Sequence, residues 1–463
     1  MVRCNIPISS SITWALFFAS CVRALPAQMF SRADDPFFTP PSGYESAQPG
    51  EILSHRPLQA AFFGQTRANV DSYQVLYRTT GINGEPIATA TTIFLPTVST
   101  IKDRYISYQS SYDSAAAACN PSQNYGLDSS NSNVIVSVDL LFIELYVNMG
   151  YIVASPDHEG PDAAFGAGRL AGQAVLDGIR AVNSYRYALG LSTDNPTVAG
   201  TGYGGGALAT GWAAQLQASY ASDLQIAGWA LGGVPANLTA AFQADDGQFS
   251  ASVIPTAITG LNKPSAYSST LGPAINDGIT EIGSAYLNYT ESHCQSDNLV
   301  YFAQKPVLDT LPRDFLANPT VANILNENAL GSDPSLTPMA PMQIYHANGD
   351  ELYPFQPVSD LADNWCLNGA HLQFLIFAQG GHESTEILNL LNVAGFLSNV
   401  LDGTGVQGCS TTSTSQISLD SKALGQEQEP IVSRMVNLLN HFGHQDEHLK
   451  SNIADVKAPS VAA

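Results

Sequence analysis

The sequence contains few charged residues, and very few of them are positive. Only 13% of its 463 residues are charged, and 18 lysines and arginines stand against 40 acidic residues, for a net charge of −22. With 44% hydrophobic residues the chain can bury a large core, which argues against intrinsic disorder. An acidic surface repels phosphate backbones and anionic membranes, so no nucleic-acid partner is expected.

Long apolar runs are also missing beyond the N-terminus. Residues 12–22 are apolar, Arg3 precedes them, and Ala24 follows as a small residue suited to cleavage. This order is typical of a signal peptide, which we predict at residues 1–24, so a secreted, extracellular protein is expected. No later stretch reaches ~18 uninterrupted apolar residues, the length that a membrane-spanning helix needs.

Cysteines are few, and two of the six, Cys4 and Cys21, fall in the predicted signal peptide. The other four are Cys119, Cys294, Cys366 and Cys409. In an oxidising compartment they favour two disulfides, for which the sequence alone permits three pairings. The secretory route also makes Asn237 and Asn288, each in an Asn-x-Thr sequon, predicted glycosylation sites.

Short apolar runs alternate with helical patterns along most of the chain. Residues 72–96 alternate β-branched and aromatic residues around Asn83-Gly84, which predicts an antiparallel hairpin. Residues 168–189 and 205–220 have helical periodicity. The other predicted strands are residues 104–108, 151–155, 196–200, 224–230, 342–346 and 372–377. This alternation is typical of an α/β fold with a mostly parallel central sheet and helices on both faces.

Two segments break the alternation. From about residue 235 to 338, Gly, Pro, Ser and Asn are scattered among weak helical patterns, so we predict a cap inserted over the carboxyl edge of the sheet. Residues 410–415, all Ser or Thr, are typical of a linker, and residues 410–463 are predicted to form a polar tail. The main domain is therefore expected at residues 25–409.

A glycine-rich turn, Gly202-Tyr203-Gly204-Gly205-Gly206, connects a predicted strand directly to a predicted helix. Its spacing fits Gly-x-Ser-x-Gly, the nucleophile elbow in which small flanking residues let the chain turn sharply and raise a serine above the sheet. Gly204 stands at the serine position, and no other Gly-x-Ser-x-Gly occurs in the sequence. The pattern thus predicts the elbow of a serine hydrolase without its nucleophile.

Two alternatives compete with this interpretation. Gly200-x-Gly202-x-x-Gly205 also fits a dinucleotide fingerprint with Asp223 about twenty residues later, although Asp223 precedes the next strand instead of ending it. The other alternative is a plain strand-to-helix turn.

Asp350 and His382 favour the elbow, because each follows a predicted strand and they occur in the order acid, then histidine. His382 could instead belong to a zinc motif. His382-Glu-x-x-Glu386 lacks the second histidine that this motif needs, so no metal or other cofactor is expected.

These residues resemble the fungal secretory lipases typified by the lipase A of Candida yeasts. The matching segments are Tyr108-Gln109, Tyr112-Asp113-Ser114, Asp157-His158-Glu159-Gly160, residues 176–181, 205–213 and 232–235, Asp350-Glu351 and Gly381-His382-Glu383. The resemblance extends from about residue 35 to 410. It implies an α/β-hydrolase fold with a helical cap, hydrolysis of carboxylic esters and triacylglycerols through Ser, Asp and His, and the disulfide pairs Cys119 with Cys294 and Cys366 with Cys409.

The resemblance also implies roles for single residues. Asp350 would orient His382, and His382 would be the general base. Asp113 and the backbone N–H of Gly205 would form the oxyanion hole. Gly204 matches the catalytic serine and offers no oxygen to form an acyl-enzyme.

We therefore expect a hydrophobic ester, acyl-chain or metabolite ligand, transient contact with a lipid interface, and no efficient serine-type hydrolysis. One alternative is ester hydrolysis by water that His382 and Asp350 activate. Another is a non-hydrolytic enzyme of a small-molecule biosynthetic pathway.

Overall fold

The computed structural model describes residues 35–62, 64–97, 101–127, 129 and 133–414. The predicted signal peptide and residues 415–463 of the predicted tail lie outside these ranges. Within them, no helix is both long enough and apolar enough to cross a bilayer.

A central sheet organises the described residues. Its strands are β1 (Ile52–Phe62), β2 (Thr66–Thr80), β3 (Pro86–Leu95), β4 (Arg104–Gln109), β5 (Val153–Pro156), β6 (Thr197–Tyr203), β7 (Ile226–Gly232), β8 (Met342–Ala347), β9 (Leu372–Phe377) and β10 (Cys409–Thr414). Their spatial order is β1-β2-β3-β5-β4-β6-β7-β8-β9-β10. The pairs β1–β2, β2–β3 and β3–β5 are antiparallel, and the pairs from β5 to β10 are parallel. This is the mostly parallel sheet of an α/β-hydrolase fold.

Helices cover both faces of the sheet. They are α1 (Pro121–Asn124), α2 (Val134–Asn148), α3 (Gly168–Tyr185), α4 (Gly205–Tyr220), α5 (Leu238–Asp245), α6 (Val253–Leu261), α7 (Ser268–Asn276), α8 (Glu281–Thr290), α9 (Gln295–Phe302), α10 (Pro319–Glu327), α11 (Phe355–Leu367) and α12 (His382–Leu401). The helices α2 and α12 share one buried apolar cluster with the sheet, and α3, α4 and α11 share another. Because each face has a core, the parallel strands are buried on both sides.

The segment between β7 and β8 contains the six helices α5–α10 and forms a core of its own. Phe242, Ile254 and Phe302 lie in this core together with Phe165 and Tyr353 from outside the segment. We call residues 238–327 the helical insertion. Phe165 lies beside Gly205 of the glycine-rich turn and the Tyr353 hydroxyl bonds to Asp113, so the insertion packs directly on neighbours of that turn.

Both edges of the sheet differ from what the sequence pattern predicts. The strand β1 was not predicted, because its sequence shows no clear alternation and includes Pro57, which an edge strand tolerates. Residues 410–414, predicted as part of a linker, belong to β10 and pair in parallel with β9. The disulfide Cys366–Cys409 ties the first residue of β10 to α11, and this covalent anchor holds a Ser/Thr-rich segment beside the sheet.

The second disulfide, Cys119–Cys294, lies between the segment after β4 and the helical insertion. Both bonds have the pairing that the family resemblance implies. The oxidising compartment expected from the cysteine count fits this arrangement.

Candidate active site

The glycine-rich turn has the backbone of a nucleophile elbow. Gly204 lies between β6 and α4 with φ 53° and ψ −127°, a conformation that is costly for residues with a side chain. Its N–H donates to the carbonyl of Gly232 on β7 at 3.1 Å, and its carbonyl accepts the first hydrogen bonds of α4. The sharp turn is therefore present although residue 204 has no side chain to display.

A side chain at residue 204 would enter the middle of the candidate site. A Cβ atom built on Gly204 lies 3.4 Å from Nε2 of His382, 3.6 Å from Oδ2 of Asp113 and 3.6 Å from Cβ of Ser111. These are ordinary contact distances, so the surroundings of residue 204 accept a small side chain. Its neighbour Gly205 differs, since a Cβ atom there would lie 2.0 Å from Oδ1 of Asp113.

Asp350 and His382 form a hydrogen-bonded pair. Nδ1 of His382, the first residue of α12, lies 2.8 Å from Oδ2 of Asp350. The other oxygen of Asp350 accepts the N–H groups of Leu352 at 3.0 Å and Tyr353 at 2.8 Å. Because one carboxylate oxygen is fixed by the loop after β8, the other holds the imidazole with Nε2 toward residue 204.

Neighbouring groups also fix His382 through its backbone. Its N–H donates to the Glu351 carboxylate at 2.8 Å, and its carbonyl accepts from the Tyr203 hydroxyl at 2.6 Å. The Tyr203 ring lies 4.7 Å from the imidazole, centroid to centroid. Tyr203 precedes Gly204, so the elbow and the histidine loop are coupled directly.

The buried Asp350 carboxylate controls the charge of His382. Burial alone lowers the pKa of the imidazole, but the charge of Asp350 and its hydrogen bond outweigh that effect and raise the pKa to about 10. The imidazolium in turn holds the pKa of Asp350 below its usual value despite burial. At neutral pH the pair is therefore an ion pair in the free protein.

Asp113 faces the pair from the loop after β4. Its Oδ2 accepts the N–H of Gly205 at 3.3 Å and the Tyr353 hydroxyl at 3.4 Å. Burial raises the pKa of Asp113 to about 7, against the lowering effect of the His382 charge. Oδ1 is buried without a hydrogen-bond partner among the described residues. Asp113 and the Gly205 N–H, which are predicted to form the oxyanion hole, therefore bond to each other beside residue 204.

The Asp113 loop is held by buried groups from two other segments. Asp139 on α2 accepts the hydroxyl of Ser110 and, at 3.2 Å, the N–H of Ser111. The carbonyl of Ser110 lies 2.9 Å from Nε2 of His158. These contacts pre-organise the loop. They also indicate a structural role for His158, which the sequence analysis named only as part of a segment that matches the family.

A comparison with known families decides the assignment. The model of the secretory lipase family matches residues 126–405. The chain belongs to the secretory lipase family. It is 36% identical over 436 residues to the secreted triacylglycerol lipase LIP2 of Malassezia furfur, covering 92% of each chain. It is 34% identical over 431 residues to the secreted triacylglycerol lipase LIP7 of Malassezia globosa, covering 90% of this chain and 89% of the relative.

Solved structures share the fold of this secretory lipase family member. Candida antarctica lipase A in its closed state superposes with a TM-score of 0.79 at 28% identity, covering 88% of this chain and 96% of the other. The rice cell wall degrading esterase LipA of Xanthomonas oryzae matches with a TM-score of 0.57 at 14% identity, covering 77% of this chain and 99% of the other. The second likeness concerns the fold alone.

Membership of the secretory lipase family argues against the interpretation of the glycine-rich turn as a dinucleotide-binding motif. Asp223, which that fingerprint would use, is bound by Arg180, whose Nε lies 3.0 Å from one carboxylate oxygen. The predicted glycosylation sites Asn237 and Asn288 are both exposed, and they stay predictions. Among the described residues, no group of three or more His, Cys, Asp or Glu side chains could hold a metal ion.

Two residues of the site, Ser111 and Tyr353, were not predicted from the sequence, because they come close to residue 204 or to His382 only through the fold. Tyr203 was predicted only as part of the glycine-rich turn, and its contact with His382 was not predicted. A weak signal did exist for Ser111, because it is two residues from Asp113 in a loop at the carboxyl end of a strand.

Proposed function

We propose that this protein is a secreted secretory lipase homologue that binds hydrophobic carboxylic esters and forms no acyl-enzyme at residue 204. One observation carries the proposal: the acid, the histidine and the oxyanion donors surround a position where the chain has glycine. Secretion is supported by the predicted signal peptide and by relatives named as secreted triacylglycerol lipases.

The proposed ligand class rests on the aromatic rings that pack around His382 and Gly205. The rings of Tyr203 and Tyr353 pack against His382, with ring centroids 4.7 and 5.3 Å from the imidazole. Phe165 lies beside Gly205 and belongs to the core of the helical insertion. Apolar walls around a few polar groups suit the carbonyl of an ester with a hydrophobic acyl chain. We propose that the helical insertion acts as the cap over this ligand.

The missing hydroxyl sets the scale of the lost activity. In subtilisin, removal of the triad serine lowers kcat by a factor of about 2 × 10⁶, and the remaining rate is still roughly 10³ to 10⁴ times that of the uncatalysed reaction in water. The residual rate comes from the oxyanion hole and from binding. By the same physical argument, this protein retains ester binding and oxyanion stabilisation but loses the covalent route.

A second function, slow ester hydrolysis by water, is favoured by the hydrogen-bonded Asp350–His382 pair. In this reaction a water oxygen attacks the ester carbonyl carbon while Nε2 of a neutral His382 takes the proton. The Gly205 N–H and Asp113 hold the oxyanion. The bond from the carbonyl carbon to the alcohol oxygen then breaks, and the alcohol leaves with the proton from His382.

Ester assays test both functions. Native protein and His382→Ala are assayed with p-nitrophenyl esters of short and long acyl chains, and both are treated with a fluorophosphonate probe. We expect slow steady-state release without a burst, loss of that release in His382→Ala, and no labelling of the native chain. Binding of the long-chain ester should persist in His382→Ala. A burst, or an acyl or phosphonyl group on any residue, would contradict the proposal.

A further inference from the structure

Ser111 is the hydroxyl-bearing residue that the fold brings next to residue 204. Its Cβ atom and Nε2 of His382 lie 3.6 and 3.4 Å from one point, the position of a Cβ atom on residue 204. The two side chains therefore face the same small space. In a serine hydrolase of this fold, the nucleophilic oxygen would be attached at that point.

The Ser111 hydroxyl is available for a new contact. Among the described residues it has no hydrogen-bond partner, whereas the hydroxyl of the preceding Ser110 is bound by Asp139. Ser111 is partly exposed, so solvent reaches it. Its backbone is fixed, because its N–H donates to Asp139 at 3.2 Å. A hydroxyl that is free to rotate on a fixed backbone suits the positioning of a small molecule.

We propose that Ser111 and His382 together hold the water that attacks the ester, in place of a serine at residue 204. This inference rests on the direct hydrolysis proposed above. The water donates one hydrogen bond to Nε2 of neutral His382 and the other to Oγ of Ser111. A water near that point would lie beside Nε2 of His382, and rotation about the Cα–Cβ bond of Ser111 can bring its hydroxyl within hydrogen-bond distance of the same water.

The chemistry assigns different parts to the two side chains. His382 takes the proton of the water as the oxygen attacks the carbonyl carbon. Ser111 keeps its own proton and orients the lone pair of the water toward that carbon. No covalent bond forms to Ser111, so the products are the free acid and the alcohol, as in the unassisted reaction.

Substitutions of Ser111 in two proteins, the native chain and Gly204→Ser, distinguish the positioning of water from a structural role. Ser111→Ala and Ser111→Thr are made in the native chain and in Gly204→Ser, with the exposed Ser184→Ala as the matched control. In the native chain we expect Ser111→Ala to lower kcat about tenfold with little change in KM, since one positioning hydrogen bond is lost. Ser111→Thr should restore most of the rate, and Ser184→Ala should match the native chain.

In Gly204→Ser the attacking oxygen is part of the protein, so the water that Ser111 holds is not needed for the first step. The rate of fluorophosphonate labelling should then change less than twofold on Ser111→Ala. An equal loss in both backgrounds would assign Ser111 a structural role and overturn the inference.

Three other results would also overturn the inference. The first is an unchanged rate in native Ser111→Ala while His382→Ala abolishes turnover, which leaves direct hydrolysis standing. The second is a phosphonyl or acyl group mapped to Ser111, which would make it a nucleophile. The third is the absence of any His382-dependent hydrolysis in the native chain, which removes the direct-hydrolysis function together with the role of Ser111.

Discussion

The elbow and the loops that face it differ in chemistry although their geometries match. At the elbow, the backbone turns as in a serine hydrolase, but Gly204 offers no oxygen. Opposite it, Asp350 and His382 hold the hydrogen bond and orientation that a serine would need. The difference indicates that the turn itself is fixed by close packing of glycines and not by the nucleophile. It also makes each side testable on its own.

The largest expected effect comes from restoring the oxygen. Gly204→Ser should raise ester hydrolysis by up to about 10⁶-fold, because that is about what a triad serine contributes to kcat. Labelling by a fluorophosphonate should then map to residue 204. The introduced Cβ atom has room, at 3.4 Å from Nε2 of His382, although the positive φ costs roughly 1–3 kcal/mol of stability.

Gly204→Ala is the matched control for that experiment, because it carries the same backbone strain without an oxygen. It should lose similar stability in thermal unfolding and gain no hydrolysis. A Gly204→Ser variant that folds but gains neither ester hydrolysis nor fluorophosphonate labelling would mean that the loops facing the elbow no longer support catalysis.

The acid can be removed next, in the Gly204→Ser background. Asp350→Asn keeps the shape of the loop but cannot stabilise the imidazolium, and the equivalent change in a serine protease costs about 10⁴ in kcat. We expect a loss of that order, measured as steady-state kcat on a short-chain ester. The exposed Asp363→Asn serves as the control. A loss of less than tenfold would show that Asp350 is a structural residue only.

The smallest expected effect is on the pH dependence of kcat/KM, which distinguishes the role of His382 as a base from the role of Asp113 in the oxyanion hole. His382 accepts a proton only when neutral, and its pKa of about 10 means that this form gains tenfold per pH unit up to that value. Asp113 donates only when protonated, and with a pKa of about 7 it loses this form above neutrality. For the native chain, log kcat/KM should therefore rise with slope one below pH 7 and stay flat between 7 and 10.

Asp113→Asn tests whether Asp113 causes the flat part of the pH profile between pH 7 and 10. The amide donates a hydrogen bond at every pH, so the rise should continue to about pH 10, and the variant should exceed the native rate about 100-fold at pH 9. Profiles of the same shape for both proteins would remove Asp113 from the oxyanion hole.

The sequence predicted the interior of this fold better than its edges. Strands such as β8 and β9 are apolar runs between Gly, Pro and Asp, and burial on both faces makes that signal strong. The edge strand β10 is held by a disulfide and by one neighbour, and neither constraint can be read from a Ser/Thr run.

The same limit applies to the site. Asp350 and His382 were predictable from their places after strands, and Asp113 from the family motif. Ser111, in contrast, meets residue 204 across 93 positions of sequence, because β4 and β6 are neighbours in the sheet. Because β5 lies between β4 and β6 in the chain, no local sequence pattern reveals that the loops after β4 and β6 meet.

The Cys119–Cys294 bond constrains how a ligand can enter. Cys119 follows Asp113 by six residues, and Cys294 immediately precedes α9 of the helical insertion. The insertion is thus tethered at its two chain ends and at this crosslink, so near α9 it cannot separate from the segment that follows Asp113. In the proposed cap, an opening for a long acyl chain would therefore involve helices other than α9, and a reductant that cleaves the crosslink would free α9 as well.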